Sequence, residues 1–391
     1  MTLTNEQRIL NVINRRDVDF LPSQITMADR TRDKELSIQL GLSSAAELDS
    51  YMGNHIHITF SADDVPLVYR NDIEKMKEYE ARGFCGVDVE NHVVYDKWGV
   101  GIQMYADGFF PCFHPLQQKY ERNEIAEKFM PPGFNRDVLK LGDLEEAVRC
   151  FKAPDAYAKG NFDLIEYDLK KYSGDFLVIC SGYGGMYERS YHVMGFEELM
   201  MEIAAQPEVV EELLDKILEY KIAFARKCVE RGAKVGHTGD DLGTQYSTLF
   251  SKEMFRRIFK PRYAKLFNVY KSAGIPVAMH SCGNITEFIP DLIDAGLDIL
   301  EPVQPCMDLK FLKREFGKDL IFWGGIDTQQ ILPYGSPEQI EEMVRETIHI
   351  LGKGGGYIAA PSQEITKDVP VENIKALVET VIIERERVLQ L

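Results

Sequence analysis

The fold is decided by the stretch IPVAMHSCGNITEFIPDLIDAGLDILE at positions 275–301. A short β-rich run, Ile275–His280, is followed by a helical stretch, Thr286–Ala295, which begins at a good N-cap residue and stops before Gly296. A second apolar run, Leu297–Glu301, comes directly afterwards. A strand, a helix and a strand in this order predict a βαβ unit with two parallel strands.

The same alternation recurs along the chain and predicts an α/β fold. The apolar runs expected to form strands are Leu21–Thr26, His55–Phe60, Phe176–Cys180, Ala233–His237, Ile275–His280, Leu297–Glu301, Leu320–Gly324 and Gly356–Ala360. The helices expected between and after the later strands are Glu211–Arg231, Lys252–Ala273, Thr286–Ala295, Pro337–Leu351 and Val371–Leu391. Eight such strands favour a (β/α)8 TIM-type barrel, and a doubly wound sheet is the alternative.

We predict a single barrel domain over residues 1–391 with two additions. Residues 1–20 form an N-terminal helical cap that begins at Thr4. Residues 62–175 form an insertion between the second and third strands, placed as a lid over the barrel mouth. Within it, Val87–Tyr105 alternates like a β-hairpin.

Composition excludes several classes of protein. The formal net charge of −17 disfavours nucleic acid as a partner, because phosphate backbones select basic surfaces. No run of 18 apolar residues predicts a membrane span, and the first residues do not resemble a secretory signal. The 7 cysteines are scattered, which indicates reduced thiols and a cytoplasmic location.

A metal site is expected at the C-terminal strand ends, where barrels of this type carry their catalytic residues. His280 and Cys282 are two residues apart in extended backbone, so both side chains point to one side. An imidazole and a thiolate suit Zn²⁺, and a catalytic zinc needs a third protein ligand and one open position. Glu301 is the first choice as the third ligand, with Glu364 or Cys306 as alternatives. A hydrogen-bonded rim histidine beside a buried cysteine is the structural alternative.

Carboxylates at other strand ends are candidate catalytic groups. Asp240 and Asp241 are adjacent, so their repulsion is expected to raise the pKa of one of them, as general acids require. Alternatively, Asp241 caps the following helix and Asp240 is solvated. Asp327 has the same two interpretations.

Candidate substrate-binding residues lie on the same rim. Tyr183 and Tyr187 are expected to shape an apolar pocket for a flat substrate, although ordinary core packing is an equal alternative. Gln304 and Gln363 place amides at the ends of two strands. Arg30, with Arg32 nearby, is a candidate partner for an anionic substrate.

Several segments resemble the uroporphyrinogen decarboxylase superfamily, and within it the corrinoid-linked methyltransferases of the O-demethylase methyltransferase I type. The segments are GDDLGTQ at 239–245, KPRY at 260–263, HSCG at 280–283, DILEPVQP at 298–305, FWGGID at 322–327 and DVPVEN at 368–373. The decarboxylases carry Arg-Gln-Ala-Gly-Arg after the first strand, where this chain reads TMADRTR at 26–32. His280 and Cys282 fall on the zinc motif of the methyltransferases. The last barrel loop, APSQE at 360–364, lacks the cysteine of the thiol-methylating members.

The resemblance implies a (β/α)8 barrel and a zinc-dependent methyltransferase. A methyl group would move from a methoxylated aromatic or similar small donor to a corrinoid. The chain has no Asp-x-His-x-x-Gly motif, so the corrinoid would be supplied in trans by a separate protein. The resemblance also suggests a homodimer. Two alternatives remain: a metal-independent decarboxylase that uses Arg30 or Arg32 with Asp240, and a non-catalytic barrel that binds a ligand or partner.

Overall fold

The computed structural model describes residues 3–28, 33–44, 47–105, 110–117, 123–182 and 184–390. Its strands are β1 (Ile56–Phe60), β2 (Gly86–Asp88), β3 (Val93–Tyr95), β4 (Gly101–Gln103), β5 (Pro111–Phe113), β6 (Leu177–Ser181), β7 (Gly236–Gly239), β8 (Val277–His280), β9 (Ile299–Val303), β10 (Ile321–Ile326) and β11 (Tyr357–Pro361).

The α-helices surround and connect these strands. They are α1 (Asn5–Ile13), α2 (Asp33–Gln39), α3 (Leu48–Tyr51), α4 (Val65–Tyr69), α5 (Ile73–Ala81), α6 (Asn123–Phe129), α7 (Leu144–Cys150), α8 (Asp163–Tyr172), α9 (Met186–Met194), α10 (Phe196–Ala205), α11 (Pro207–Glu230), α12 (Lys252–Met254), α13 (Lys260–Lys271), α14 (Ile289–Ala295), α15 (Leu309–Phe316), α16 (Ile331–Tyr334), α17 (Pro337–Gly352) and α18 (Val371–Arg387). Within the described residues, no helix combines the length and the apolarity that crossing a bilayer requires.

The predicted α/β class is confirmed by two parallel sheets. One has the order β11-β10-β9-β8-β7, and the other pairs β1 with β6. The first predicted strand, Leu21–Thr26, is reduced to isolated parallel bridges, in which Ser23 pairs with both Asn54 and Ala359. That residue therefore links the last strand of one sheet to the chain entering β1 of the other.

The inner faces of the parallel strands share one apolar cluster. Side chains at alternate positions of single strands enter it, as in the pairs Leu177/Ile179 and Ile358/Ala360. The other strand members are Ile56, Ala278, Ile299, Ile321 and Trp323, and Val235 joins them from just before β7. Helix α1 adds Ile9 and Val12, and its N-terminus is closed by a capping box between Thr4 and Gln7. The predicted start of a helix at Thr4 is therefore confirmed.

The segment 62–175 contains an antiparallel sheet of order β2-β3-β4-β5, where a single hairpin over Val87–Tyr105 was expected. It is joined to α9 by a buried ion pair, in which Arg189 Nη1 lies 2.7 Å from Asp96 Oδ2. Trp98 packs edge-on against Tyr220 of α11, with the ring centroids 4.9 Å apart. The sheet is thus packed into the interior of the protein.

The predicted helix Lys252–Ala273 is interrupted. Residues Phe255–Phe259 form a π-helical turn between α12 and α13. Pro261 has no N–H to donate to the carbonyl four residues earlier, and its ring crowds that carbonyl, so a wider turn relieves the conflict. Tyr263 follows this turn and reaches Asp240 beyond β7.

Candidate metal centre

Three side chains at the ends of β7 and β8 bring together ligand atoms for a metal ion. His280 Nε2 lies 3.5 Å from Cys282 Sγ and 3.5 Å from Asp241 Oδ1. All three ligand atoms lie within 4.8 Å of one another. Ligands bound to one tetrahedral zinc at its usual bond lengths are separated by about 3.4–3.6 Å. The nitrogen, sulfur and oxygen atoms thus fit the spacing and the chemistry of a zinc site with one position open.

Backbone contacts hold the two loops of this centre together. The Cys282 N–H donates to Asp241 Oδ1 at 2.8 Å, and the Asn284 N–H donates to the Thr244 carbonyl at 2.7 Å. Gly283 has a φ of +86°, and a Cβ at this position would lie 2.3 Å from the Gly243 carbonyl carbon. Only glycine therefore allows this conformation and this close approach.

Glu301 lies on the opposite side of the His280 ring from these atoms. Its Oε2 is 2.7 Å from His280 Nδ1, because parallel pairing places the two residues side by side on β8 and β9. A carboxylate in this position keeps the proton on Nδ1 and leaves Nε2 available to a metal. The structure therefore brings Asp241 next to His280 and Cys282 where the sequence favoured Glu301.

The charges around His280 change its protonation. Burial opposes the charged imidazole, but the Glu301 carboxylate and hydrogen bonds to Asp241, Cys282 and Glu301 raise the pKa of His280 well above its usual value. Burial likewise opposes the Asp241 anion, but hydrogen bonding to His280 and the His280 charge lower the pKa of Asp241. Two carboxylates thus share one imidazole, an arrangement that favours a bound cation.

The alternative third ligands lie outside this group of three. Cys306 Sγ contacts Gln304 Oε1 at 4.0 Å, and Glu364 is an exposed residue whose backbone N–H donates to Gln363 Oε1. Gln304 and Gln363, predicted to bind substrate, both direct an amide toward Cys282 Sγ, at 3.6 Å and 3.2 Å. Their contacts with the Cys282 sulfur are a finding that the sequence did not indicate.

Asp240 points away from the centre and caps α9. Its carboxylate accepts hydrogen bonds from the backbone N–H groups of Met186, Tyr187 and Glu188, at 2.7, 3.1 and 2.7 Å. The Tyr263 hydroxyl donates a fourth at 2.6 Å. Burial raises the pKa of Asp240 to about 6, although these hydrogen bonds oppose the rise.

The alternative interpretation of Asp240 and Asp241 as a helix cap and a solvated carboxylate was therefore wrong about which residue forms the cap. Asp241 was expected to cap the following helix while Asp240 was solvated, but Asp240 is fully buried and caps the helix after β6. The adjacent Gly185 explains the fit, since a Cβ there would lie 1.9 Å from the Gly239 carbonyl oxygen.

Glu188 is a candidate functional residue that the sequence analysis missed. It occupies the first turn of α9, is partly buried, and faces the Asp241, Asp240 and His280 charges. Burial and then the two aspartates raise the pKa of Glu188 to about 8. The only sequence signal was a carboxylate soon after the third predicted strand.

The remaining predicted residues have other surroundings. Asp327 Oδ1 accepts hydrogen bonds from the backbone N–H groups of Gln329 and Gln330, at 2.6 and 2.9 Å, and so closes the turn after β10. Tyr187 is 1% exposed and packs edge-on against Phe250. Arg30, Arg32 and Tyr183 lie outside the described residues.

Comparison with known proteins gives relatives of two kinds. The chain is 25% identical over 191 residues to the methylated-thiol–coenzyme M methyltransferase of Methanosarcina mazei, covering 48% of each chain. It is 26% identical over 200 residues to the methylcobamide:CoM methyltransferase MtaA of Methanosarcina barkeri, covering 51% of this chain and 56% of the relative. The uroporphyrinogen decarboxylase of Psychromonas ingrahamii is 25% identical over 186 residues, covering 48% and 51%. The chain spans about half the length of these curated relatives.

A solved structure and a family match extend over more of the chain. A methyltransferase from Methanosarcina mazei superimposes with a TM-score of 0.61 at 19% identity, covering 97% of this chain and 99% of the other, so the two have the same fold. Residues 138–382 match the family described as uroporphyrinogen decarboxylase (URO-D). The chain is therefore a member of the uroporphyrinogen decarboxylase family.

Proposed function

We propose that this chain is a zinc-dependent methyltransferase, which moves a methyl group from a small methyl donor, such as a methoxylated aromatic, to a corrinoid carried by a separate protein. The observation that carries the proposal is the convergence of Asp241, His280 and Cys282 at adjacent strand ends. Two relatives support the reaction class, since one is a methylated-thiol–coenzyme M methyltransferase and the other a methylcobamide:CoM methyltransferase.

We also propose that the chain forms one domain, a closed (β/α)8 barrel, with residues 1–20 as a cap and 62–175 as an insertion. The double bridge of Ser23 to Asn54 and Ala359 supports closure at one junction. At the other, between β6 and β7, the Ser181 hydroxyl lies 3.3 Å from His237 Nδ1. The shared inner cluster supports a single ring of strands around one core.

The residues proposed to hold the ion are His280 through Nε2, Cys282 through Sγ and Asp241 through Oδ1. Glu301 is reassigned from ligand to the residue that orients the imidazole through Nδ1. Zinc bound there would supply Lewis acidity toward the atom of the donor that carries the methyl group.

Asp240 has a structural role in this proposal. Asp240 fixes the start of α9 and thereby holds Glu188 beside the centre, since three consecutive backbone N–H groups end on its carboxylate. This geometry replaces the prediction that Asp240 donates a proton, because its oxygens already accept four hydrogen bonds. The partner remains a separate corrinoid protein, and a homodimer stays a prediction.

Methyl transfer tests the proposal directly. The zinc-loaded protein is incubated with cob(I)alamin and a panel of methoxylated aromatics and simple methyl donors, and methylcob(III)alamin is followed by its absorbance. We expect turnover with at least one donor and none with Cys282→Ala. Zinc binding without methyl transfer from any donor would count against the reaction and leave the metal site standing.

A metal-independent decarboxylase is the second candidate, favoured by the match to uroporphyrinogen decarboxylases at similar identity. It predicts that CO2 is released from a porphyrinogen or aromatic acid by protein treated with a chelator. A non-catalytic barrel predicts instead that Cys282→Ala binds the donor as well as wild type, with no turnover in either protein.

A further inference from the structure

Two side-chain amides surround the sulfur of Cys282. Gln363 Nε2 lies 3.2 Å from Sγ and Gln304 Nε2 lies 3.6 Å from it. Gln304 is 6% exposed and extends from the loop after β9, whereas Gln363 is exposed on the loop after β11. The sulfur is therefore approached from two loops that lie apart in the sequence.

The orientation of the Gln304 amide is fixed by its other contacts. Its oxygen accepts from the Gly283 N–H at 2.7 Å, and its nitrogen donates to the Ser362 carbonyl at 3.1 Å. An N–H can only donate and a carbonyl can only accept, so the reversed amide would break both bonds. The NH2 group must therefore face the Ser362 carbonyl and the Cys282 sulfur.

The same reasoning fixes Gln363. Its oxygen accepts from the backbone N–H of Glu364 at 3.1 Å, which leaves the NH2 group on the side of Cys282. A thiolate is an acceptor, and each N–H that points at it withdraws part of its negative charge. Hydrogen bonds to a metal-bound sulfur are a recognised means by which proteins tune a metal.

We propose that Gln304 and Gln363 are positioning residues, which hold the Cys282 sulfur toward the metal and reduce its electron donation. A zinc ion bound there would remain a strong Lewis acid toward a weak, neutral ligand such as the ether oxygen of a methyl donor. This inference rests on the proposed function, because it requires a metal at Asp241, His280 and Cys282.

The test uses the full chain with Co²⁺ in place of zinc, because a thiolate bound to Co²⁺ gives a sulfur-to-metal charge-transfer band. Cys282→Ser identifies the band by removing it. In Gln363→Leu the sulfur loses one N–H donor and becomes easier to oxidise, so the band should move to lower energy. We also expect metal affinity to fall by roughly tenfold, because the loss of the contact that holds the sulfur in position outweighs its stronger electron donation.

A matched control is Gln329→Leu, the same change at an exposed glutamine on the loop after β10. Its band and affinity should equal those of wild type. Gln363 is exposed, so Gln363→Leu is expected to fold; Gln304 is buried between three loops, and its variant is secondary.

The possible results distinguish the role of the two amides from the existence of the metal centre. A Gln363→Leu protein with the wild-type band position and metal affinity would overturn the role of the amides while the metal centre stands. A wild-type protein with no sulfur band would overturn the metal centre itself and the amide role with it.

Discussion

The buried network that joins the sheet β2–β5 to α9 contains several charged groups, as does the candidate metal centre. The two regions compensate these charges differently. In the buried network, Arg189 lies 2.7 Å from Asp96 and 3.4 Å from Asp64, and the three side chains are at most 2% exposed. Lys221 supplies a second positive charge near Asp64. Arg189 and Lys221 therefore lie beside the carboxylates of Asp64 and Asp96 in a sealed environment, which is a structural arrangement.

At the metal centre the balance is different. The carboxylates of Asp241 and Glu301 both face His280, with Cys282 beside it, and the His280 side chain is 26% exposed. One imidazolium cannot offset two carboxylates, and the group opens toward solvent. Negative charge that is only partly compensated, at a position open to solvent, can attract a cation. Charges that are balanced and buried instead stabilise the fold.

The largest expected effect is the loss of metal from His280→Ala/Cys282→Ala. Removing two of three ligands leaves a single carboxylate, so zinc near one equivalent per chain should fall to background in elemental mass spectrometry. Cys306→Ala is the control, because this cysteine lies outside the group of three, and it should keep its zinc. Metal lost from Cys306→Ala, or retained by the double variant, would place the site elsewhere.

The buried network should respond in stability instead. Arg189→Met leaves Asp96 and Asp64 buried without their guanidinium, so we expect a loss of about 3–5 kcal/mol in the free energy of unfolding, measured by urea denaturation. Arg82→Met removes the exposed pair with Asp163 and should cost less than about 1 kcal/mol. Equal losses in both variants would show that burial does not set the value of these pairs.

Asp63, the chain neighbour of Asp64, makes the stability of this buried region depend on pH. Burial raises the pKa of its carboxyl to about 7, although hydrogen bonds from Tyr220 and Asn161 oppose the rise. The folded pKa lies above the unfolded value of about 3.9, so the native state binds this proton more tightly. Its stabilising contribution is complete below the unfolded pKa and is lost as the pH rises through about 7.

Asp63→Asn removes this titration. Relative to the variant, the wild type should lose stability between pH 4 and pH 8, by about 1.4 kcal/mol for each unit of raised pKa. Urea denaturation of both proteins across this range measures the difference between their free energies of unfolding. The titration of all other groups is common to both proteins and cancels in this difference. A constant difference would mean that Asp63 ionises in the native state as easily as in the unfolded chain.

The sequence predicted the order of the parallel strands because apolar runs and helix signals are local. Strand ends were less accurate: Ala233–His237 was expected where β7 is Gly236–Gly239, since hydrogen-bonded pairing with β8 decides where a strand stops. The interruption of the predicted helix Lys252–Ala273 was also missed, although Pro261 was a visible signal.

The metal site was predictable only in part. His280 and Cys282 are two residues apart, so their convergence follows from backbone geometry alone. The opposite directions of Asp240 and Asp241 do not, because they depend on where α9 presents its N–H groups to the end of β7. The proposed exchange of Asp241 and Glu301 between ligand and outer position has the same cause, a contact made between loops.

Glu301→Gln tests that exchange with a smaller effect. The variant cannot hold the His280 Nδ1 proton through a charged acceptor, so metal should bind about 10–100-fold more weakly in a titration against a chelator, without being lost. Asp298→Asn is the control, since Asp298 lies just before the same strand and pairs with Lys271. Complete loss of metal from Glu301→Gln would restore Glu301 as a ligand.

The smallest expected effect concerns Asp327, which the sequence offered as a catalytic residue. In the structure its Oδ1 accepts two backbone hydrogen bonds in the turn after β10, so Asp327→Ala should lower the free energy of unfolding by about 1 kcal/mol. Zinc content and methyl transfer at saturating donor should stay at the wild-type level if the carboxylate only closes the turn. A fall in kcat with unchanged stability would instead place Asp327 among the groups that contact the donor, and the metal centre would then extend from β7 to β10.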